Sequence, residues 1–460
     1  MQAEPTPVRR AAYEVLRRCF EQDAWVDRAL PAAIERYGLE GRHRAQVQRL
    51  AFGAVQMRGT TDALVERLSS RRSRRLDPPV AAALRLGLYE ILFADSTPDH
   101  AAVGEAVELA KRGMGPNPRR AKAAAGMVNA ILRRAARSRS ELLGGFDDST
   151  AAGAAFAHSM PEWLAEMWFD ELGPEPAGSL MAAMNRPPET AMRASTMRVE
   201  PAQLAAELAQ AGEPVRWHQQ GTTLWPPGAL VIDGRLGEPS LRKLESGEML
   251  ASARAAQATV ALLGARPGER ILDICAGPGV KTSGIAAAMR GEGELVAVEI
   301  DEARAREVSQ LCRRAGAPAP RTIVADAASE GADLGSGYDR VLVDPPCSDL
   351  GTLASRPDAR WRKSPETIER LSSLQHRILG RAVDALAPGG TLVYSTCTIS
   401  RAENEANIGV LLDERPELGA DDLGAEDPDL AAPGDPRFLL TRPDRDRTDG
   451  FFIARLRKAA

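Results

Sequence analysis

Two cysteines stand just beyond two apolar runs. Val341-Leu342-Val343 leads into Asp344-Pro345-Pro346-Cys347-Ser348, and Leu392-Val393-Tyr394 leads into Ser395-Thr396-Cys397-Thr398. Short apolar runs of this kind read as buried strands. In an open parallel sheet, ligands bind beyond the carboxyl ends of the strands, so both thiols are expected to face one cleft. They do not form a CxxC pair. Two such thiols where ligands bind point to covalent catalysis. The competing reading of the residues alone is two small packing side chains.

A second constellation lies upstream. Leu272-Asp273-Ile274-Cys275-Ala276-Gly277-Pro278-Gly279-Val280-Lys281-Thr282 runs strand, glycine turn, helix start. Glycines let a ligand approach the backbone, and a helix start offers free N–H groups. The third glycine of the dinucleotide fingerprint is missing, and so is the Walker A spacing. Acids end the strands that follow. Glu299 comes about 20 residues on, where a carboxylate accepts ribose hydroxyls. Asp326 ends the next strand, near the place of an adenine amino group, and Asp344 ends the fourth. Three such acids suit an adenosine carrying a cationic group, whereas a pyrophosphate calls for basic residues. Singly, each also reads as a cap of the next helix. Lysine occurs at only six positions, 111, 122, 243, 281, 363 and 458. A cation at a helix start is disfavoured by the helix dipole, so Lys281 is expected to orient Asp344 or a bound base. The bland alternative is a lysine pointing into solvent.

From about 251 onward, strands alternate with helices: 270–275, 294–300, 321–325, 339–343 and 391–395 are the apolar strands. This grammar predicts a parallel sheet covered on both faces. Phe438-Leu439-Leu440 and Phe451-Phe452-Ile453-Ala454 read as a last hairpin at the sheet edge. Gly419 to Pro436 is acidic, rich in proline and glycine, and reads as a mobile surface loop. Residues 5–140 carry apolar side chains at helical spacing throughout, as in Ala12, Val15, Leu16, Cys19 and Ala81 to Leu92. Ser138 to Ser149, with Gly144-Gly145 and Asp147-Asp148, reads as a linker. Residues 150–250 mix short helices and strands, with a strand expected over Ala191 to Val199. The expected organisation is therefore multidomain: an all-α domain over 1–140, a small α+β subdomain over 150–250 and an α/β domain over 251–460.

A length of 460 residues fits two or three domains, and 44% hydrophobic with 27% charged residues fits a sizeable core. Five widely spaced cysteines give neither a disulfide framework nor zinc-ligand spacing. His43, His100, His158, His218 and His376 show no metal spacing, so no metal is expected. Cys19 and Cys312 read as packing residues, and Cys275 as packed behind the glycine turn. No apolar run reaches the roughly 18 residues of a membrane span, and Met1-Gln2-Ala3-Glu4-Pro5 lacks a signal core. A cytoplasmic protein is expected. The net charge is −4, but the front of the chain is basic, with Arg9, Arg10, Arg17 and Arg18, then Arg71, Arg72, Arg74 and Arg75, then Arg119, Arg120, Arg133, Arg134, Arg137 and Arg139. Local phosphate binding and solvated helix faces both remain open.

The glycine turn, the two cysteine segments, Arg356 to Gln375 with Trp361 and Pro365, and Thr448-Asp449-Gly450-Phe451-Phe452 together resemble the S-adenosylmethionine-dependent RNA cytosine-5 methyltransferases of the NOL/NOP/Sun family. Glu105 to Lys111 and Gly126 to Arg133 resemble the NusB RNA-binding fold, and Asn185 to Arg193 resembles an intermediate subdomain. These point to the bacterial Sun/Fmu branch, which acts on 16S ribosomal RNA. Gly277, Val280, Pro345 and Asp349 depart from the commoner residues at their positions, and the Gln-Asp usual before the first catalytic helix is absent from Ser246 to Ser252.

The resemblance implies a NusB-like helical front, a small α+β middle and a Rossmann-like class I methyltransferase domain. It implies S-adenosylmethionine, held by Cys275, Ala276, Gly277, Pro278, Gly279, Val280, Lys281, Glu299, Asp326 and Asp344. The chemistry it implies is thiolate attack on cytosine C6, which makes C5 nucleophilic, followed by loss of the C5 proton and the thiol. The strands themselves do not say which cysteine attacks. A Pro-Cys thiol, as in DNA cytosine methyltransferases, favours Cys347, while the RNA family implies Cys397, with Cys347 assisting resolution. Asp344 is then expected to hydrogen-bond the cytosine edge, with Lys281 as a further catalytic candidate. The implied partner is small-subunit ribosomal RNA or its assembly intermediate, acted on by a monomer. Transfer RNA, large-subunit RNA, and an RNA-binding assembly factor with a vestigial catalytic half are the alternatives.

Overall fold

A computed structural model describes residues 4–69, 75–94, 97–144, 147–219 and 221–460. Arg71, Arg72, Arg74 and Gly145, singled out above, lie outside the described residues. The chain divides into two compact units: Met1–Asn185 with Ser355–Arg362, and Arg186–Ala354 with Lys363–Ala460.

The first unit is helical. Its centre is the helix Pro78–Phe93, which starts on two prolines suited to a first turn and buries 12 of its 16 residues. Leu84, Leu86, Leu88 and Ile91 are at most 1% exposed, each contributing about 1.5–3 kcal/mol of burial. A helix so enclosed must also bury its polar residues. Glu90 is 1% exposed and accepts from Arg9 at 2.8 Å, and a second carboxylate, Glu105, reaches Arg9 at 2.6 Å. Arg9 is therefore part of the core, not of a basic surface. Other arginines of the front are also engaged: Arg17 pairs with Glu21, Arg10 with Glu4 and Arg120 with Asp77. Glu90→Ala leaves a buried guanidinium half compensated and is expected to destabilise this unit by about 3 kcal/mol. Hydrogen exchange across Pro78–Phe93 checks it, with roughly 10²-fold loss of protection expected.

The expected linker 138–149 contains a short helix, Arg139–Leu143, because Leu142 turns inward and is 3% exposed. The segment Ser355–Arg362 packs in this unit although its neighbours on both sides belong to the other. Arg360 is fully buried and donates to the carbonyls of Ser159 and Met184 and to Asn185 Oδ1. Trp361 Nε1 donates to Val55 O at 2.8 Å.

The second unit holds two sheets. Strands β1 (Thr190–Ala194), β2 (Val215–Trp217), β3 (Ala229–Ile232) and β4 (Met249–Ala251) form a small antiparallel sheet in the order β2-β3-β1-β4. β1 stops at Ala194, short of the expected Val199, because Arg198 and Val199 fold back to donate to Ser195 O.

The larger sheet contains β5 (Arg270–Ile274), β6 (Glu294–Glu299), β7 (Arg321–Val324), β8 (Tyr338–Val343), β9 (Leu386–Thr396), β10 (Leu418–Ala420), β11 (Leu439–Leu440) and β12 (Phe452–Lys458). Its order is β10-β12-β9-β8-β5-β6-β7, with β11 on β12. The run from β7 to β9 is parallel, and β12 is antiparallel to β9 and β10. The final hairpin lies at this end of the sheet, as expected, with β11 and β10 both pairing along the outer side of β12. Gly419 to Pro436 is not a mobile loop. It carries part of β10 and the helix Leu423–Glu426, and Leu423 and Leu430 join the core of Ile271, Leu342, Val393 and Ile453. Its acids turn outward, as when Asp421 pairs with Arg457.

The chain enters this sheet at β5, builds outward to β7, then returns to β8 on the other flank. That reversal makes the crevice beyond β5 and β8 the topological switch point. The register sets Ile274 opposite Val343 and Val343 opposite Tyr394. The residues that follow these three strand positions therefore emerge at one level.

Candidate active site

The turn after β5 is built by close approaches. A Cβ on Gly277 would lie 2.4 Å from Glu299 Oε2, and one on Gly279, at φ +106°, would lie 2.7 Å from Val308 Cα. Backbone contact and positive φ require glycine at 279, whereas at 277 the close neighbours are side-chain ends that can shift. Gly277 N–H donates to Glu299 Oε2 at 3.0 Å, Asp301 N–H to Oε1 at 3.2 Å, and Arg304 Nη2 to Gly277 O at 2.6 Å. Glu299, at 3% exposure, thus holds the turn through Oε2 and the chain just after β6 through Oε1, and a carboxylate has about four acceptor positions. Asp326 is exposed just beyond β7 and accepts from Ala328 N–H at 3.0 Å. Cys275, at φ +65°, has its thiol pKa pushed well up by burial, in keeping with a packing role.

Asp273 has no role in the sequence reading beyond its place in the strand. It is 1% exposed within β5, accepts from Thr282 Oγ1 at 2.6 Å through Oδ2, and has no partner for Oδ1. Burial raises its pKa to about 7. An acid inside the apolar run Leu272-Asp273-Ile274 is the signal that could have found it.

Beyond β8 the residues expected from the sequence come together. Lys281 Nζ meets Asp344 Oδ2 at 2.6 Å, and Ser395 Oγ donates to Asp344 Oδ1 at 3.2 Å. Lys281 also lies over the Phe451 ring, 5.2 Å from its centroid. Burial opposes the lysine's charge, but Asp344 outweighs it and holds the pKa above the ordinary value. Cys347 Sγ and Cys397 Sγ are 3.2 Å apart. The hydrogen bond to Cys347, burial, and the charges of Asp349 and Asp344 push the Cys397 thiol pKa well up. Cys19 and Cys312 are buried packing residues elsewhere.

Four further residues position the thiols. Thr398 Oγ1 lies 2.7 Å from Ser348 Oγ, which donates to the buried Glu403 carboxylate. Glu403 also accepts from Ser348 N–H at 2.9 Å and from Gln375 Nε2 at 3.0 Å. This chain of bonds ties the residue after Cys347 to the residue after Cys397. Cys397 Sγ–H points to Asp349 Oδ1 at 3.2 Å, and Lys363 Nζ lies 3.6 Å from Asp349 Oδ2. Cys347, Asp349 and Cys397 bring three potential metal-donor atoms within 4.8 Å. The ammonium groups of Lys281 and Lys363 beside them oppose a further cation.

Three features fit S-adenosylmethionine. Glu299 and Asp326 supply acceptors for ribose and adenine donors, the carboxylates suit the positive charge, and Asp273 Oδ1 is a buried acceptor without a partner. A parallel sheet with the inserted antiparallel β12, a glycine turn after its first strand and an acid ending its second define a class I methyltransferase. The chain belongs to the family described as 16S rRNA methyltransferase RsmB/F, matched over residues 260–457, and residues 6–137 match the NusB family. It is 32% identical to "Probable ribosomal RNA small subunit methyltransferase B" of Synechocystis sp., covering 98% of this chain and 99% of the relative. It is 30% identical to ribosomal RNA small subunit methyltransferase B of Erwinia tasmaniensis, over 98% and 99%. Among solved structures, a methyltransferase homologue from Pyrococcus horikoshii aligns with TM-score 0.59 at 26% identity, over 67% of this chain and 98% of that one. A structure titled PH0851 aligns over the whole of both chains with TM-score 0.79 at 23% identity, which is a likeness of fold. The protein is an S-adenosylmethionine-dependent RNA methyltransferase of the 5-methylcytidine-forming kind. Among the described residues, no helix is long and apolar enough to cross a membrane.

Proposed function

We propose that this chain forms 5-methylcytidine in 16S ribosomal RNA, with Cys397 as nucleophile and Cys347 assisting release. The observation that carries the mechanism is the pair of thiols 3.2 Å apart beside the Lys281–Asp344 ion pair. Cys397 bonds cytosine C6. Asp344 accepts from the cytosine N4 edge while charge develops on the ring, and Lys281 steadies that carboxylate. When bound, S-adenosylmethionine supplies a methyl group on a sulfonium. Cys347 then assists as the C5 proton leaves and Cys397 is expelled. Glu299, Asp326 and the turn Cys275 to Val280 hold the adenosine. The names of the relatives support the small-subunit substrate. The NusB-like front supports RNA engagement.

An RNA base must leave its stack to meet both thiols, so an unpaired cytidine in free or assembling small-subunit RNA is the fitting target. Such a substrate places the enzyme in the cytoplasm. Every residue invoked comes from one chain, so a monomer suffices. Bisulfite mapping of RNA from a strain lacking the gene tests the substrate. One protected cytidine in 16S RNA is expected to become convertible, and to be protected again on complementation. Loss of protection only in transfer RNA or large-subunit RNA would overturn the substrate.

A further inference from the structure

We propose that Asp349 is the base that takes the proton from Cys397 as its sulfur bonds cytosine C6. The proposal rests on Cys397 being the nucleophile. A nucleophile, a base within hydrogen-bond reach and a third group that orients the base form the recurring arrangement of activated nucleophiles. Here Cys397 Sγ reaches Asp349 Oδ1 at 3.2 Å, and Lys363 Nζ faces the other carboxylate oxygen at 3.6 Å. Lys363 is also held toward Cys347 O, at 3.4 Å. Asp349 adopts φ +59°, a backbone conformation uncommon outside glycine, asparagine and aspartate, and such positions concentrate at functional sites.

Chemical need points the same way. The Cys397 thiol is held protonated by its hydrogen bond to Cys347, by burial and by the charges of Asp349 and Asp344. A negative charge beside a thiol opposes its ionisation. Asp349 therefore helps only by receiving the proton. The charged and titratable groups facing the pair are Cys347 and Asp344 from the segment after β8, Lys281 from the helix Val280–Ala288, and Lys363.

The step balances within these atoms. The Sγ–H bond breaks and its proton passes to Asp349 Oδ1. The sulfur pair forms the Sγ–C6 bond, and the C5–C6 π pair moves onto C5. The pair on C5 forms the bond to the methyl group, whose former bonding pair stays with the sulfonium sulfur that carried it. In the release step the C5–H pair restores the double bond, the C5 proton leaves to solvent, and the Sγ–C6 pair returns to sulfur. Asp349 then gives its proton back to Cys397.

The test is the rate of covalent enzyme–RNA adduct formation on a Cys347→Ala background, followed from about pH 6 to 9, over which the thiolate fraction rises with pH. Asp349→Asn keeps the shape and tolerates the left-handed backbone. It is expected to slow adduct formation roughly 10²-fold near neutral pH, with the rate climbing as pH rises. Asp349→Glu is expected to recover part of the rate and its flat pH profile. Adduct formation in Asp349→Asn that is unchanged or faster at neutral pH would overturn the proposal, because faster attack is what loss of a merely repelling charge produces. Calorimetry with S-adenosylmethionine checks that each variant is folded, with wild-type affinity expected. Cys397→Ser separates the two readings. If adduct persists there, the nucleophile lies elsewhere and both fall. If adduct is lost there but forms normally in Asp349→Asn, only the role of Asp349 falls.

Discussion

Cys397→Ala is expected to reduce methyl transfer by roughly 10⁴-fold or more, the scale on which removal of a covalent nucleophile acts. The loss should fall on turnover, while S-adenosylmethionine binding stays near wild type, because Cys397 lies after β9 and the glycine turn lies after β5. Cys347→Ala should behave differently. The adduct forms, its release stalls, and enzyme accumulates bound covalently to RNA in a denaturing gel. The contrast matters because the two thiols are close enough to exchange roles on geometry alone, at 3.2 Å. What distinguishes them is their surroundings. Cys397 has a carboxylate at hydrogen-bond distance, whereas the partner of Cys347 Sγ is the Cys397 thiol itself. If Cys397→Ala trapped adduct and Cys347→Ala lost it, the assignment would be reversed.

Much of this site is legible in the sequence because it rests on strand ends. An apolar run ending in an acid or a thiol places that side chain at the carboxyl edge of the sheet. The parallel register of β5, β6, β8 and β9 brings Cys275, Glu299, Asp344 and Ser395 to one level, with Cys347 and Cys397 shortly beyond. The rest depends on contacts between segments far apart in the chain, which spacing does not encode. Asp349 and Lys363 are separated by the segment that packs in the first unit, so their pairing follows from where the chain returns. Glu403 reads as one more acid in a polar stretch until Ser348 and Gln375 meet it. Arg9 reads as surface charge because its partner Glu90 is 81 positions away, in a helix whose pattern is apolar. Gly419 to Pro436 reads as mobile because composition counts acids and prolines, while Leu423 and Leu430 anchor it.

Asp344→Asn is expected to lower the methyl-transfer rate by roughly 10²–10³-fold, the cost of removing one preorganised electrostatic partner from a site where charge develops. The amide keeps the shape and still accepts from Ser395, so the loss isolates the charge. It also strands Lys281. In the wild type, burial disfavours the ammonium and Asp344 outweighs it, holding the lysine pKa above its ordinary value. A raised folded-state pKa contributes stability throughout the neutral range, and that contribution is lost only as pH rises through the folded value. Lys281 should therefore not titrate near neutrality in the wild type. In Asp344→Asn the main counterweight to burial is gone, with only the smaller effects of Cys397 and Asp273 left, and the Lys281 pKa is expected to fall. Lys281→Met should cost less than Asp344→Asn, because the lysine acts through the carboxylate. The double variant should be little worse than Asp344→Asn, as expected of residues that work as one unit. Fully additive losses in single-turnover methyl transfer would instead give Lys281 a contact of its own with the reacting base.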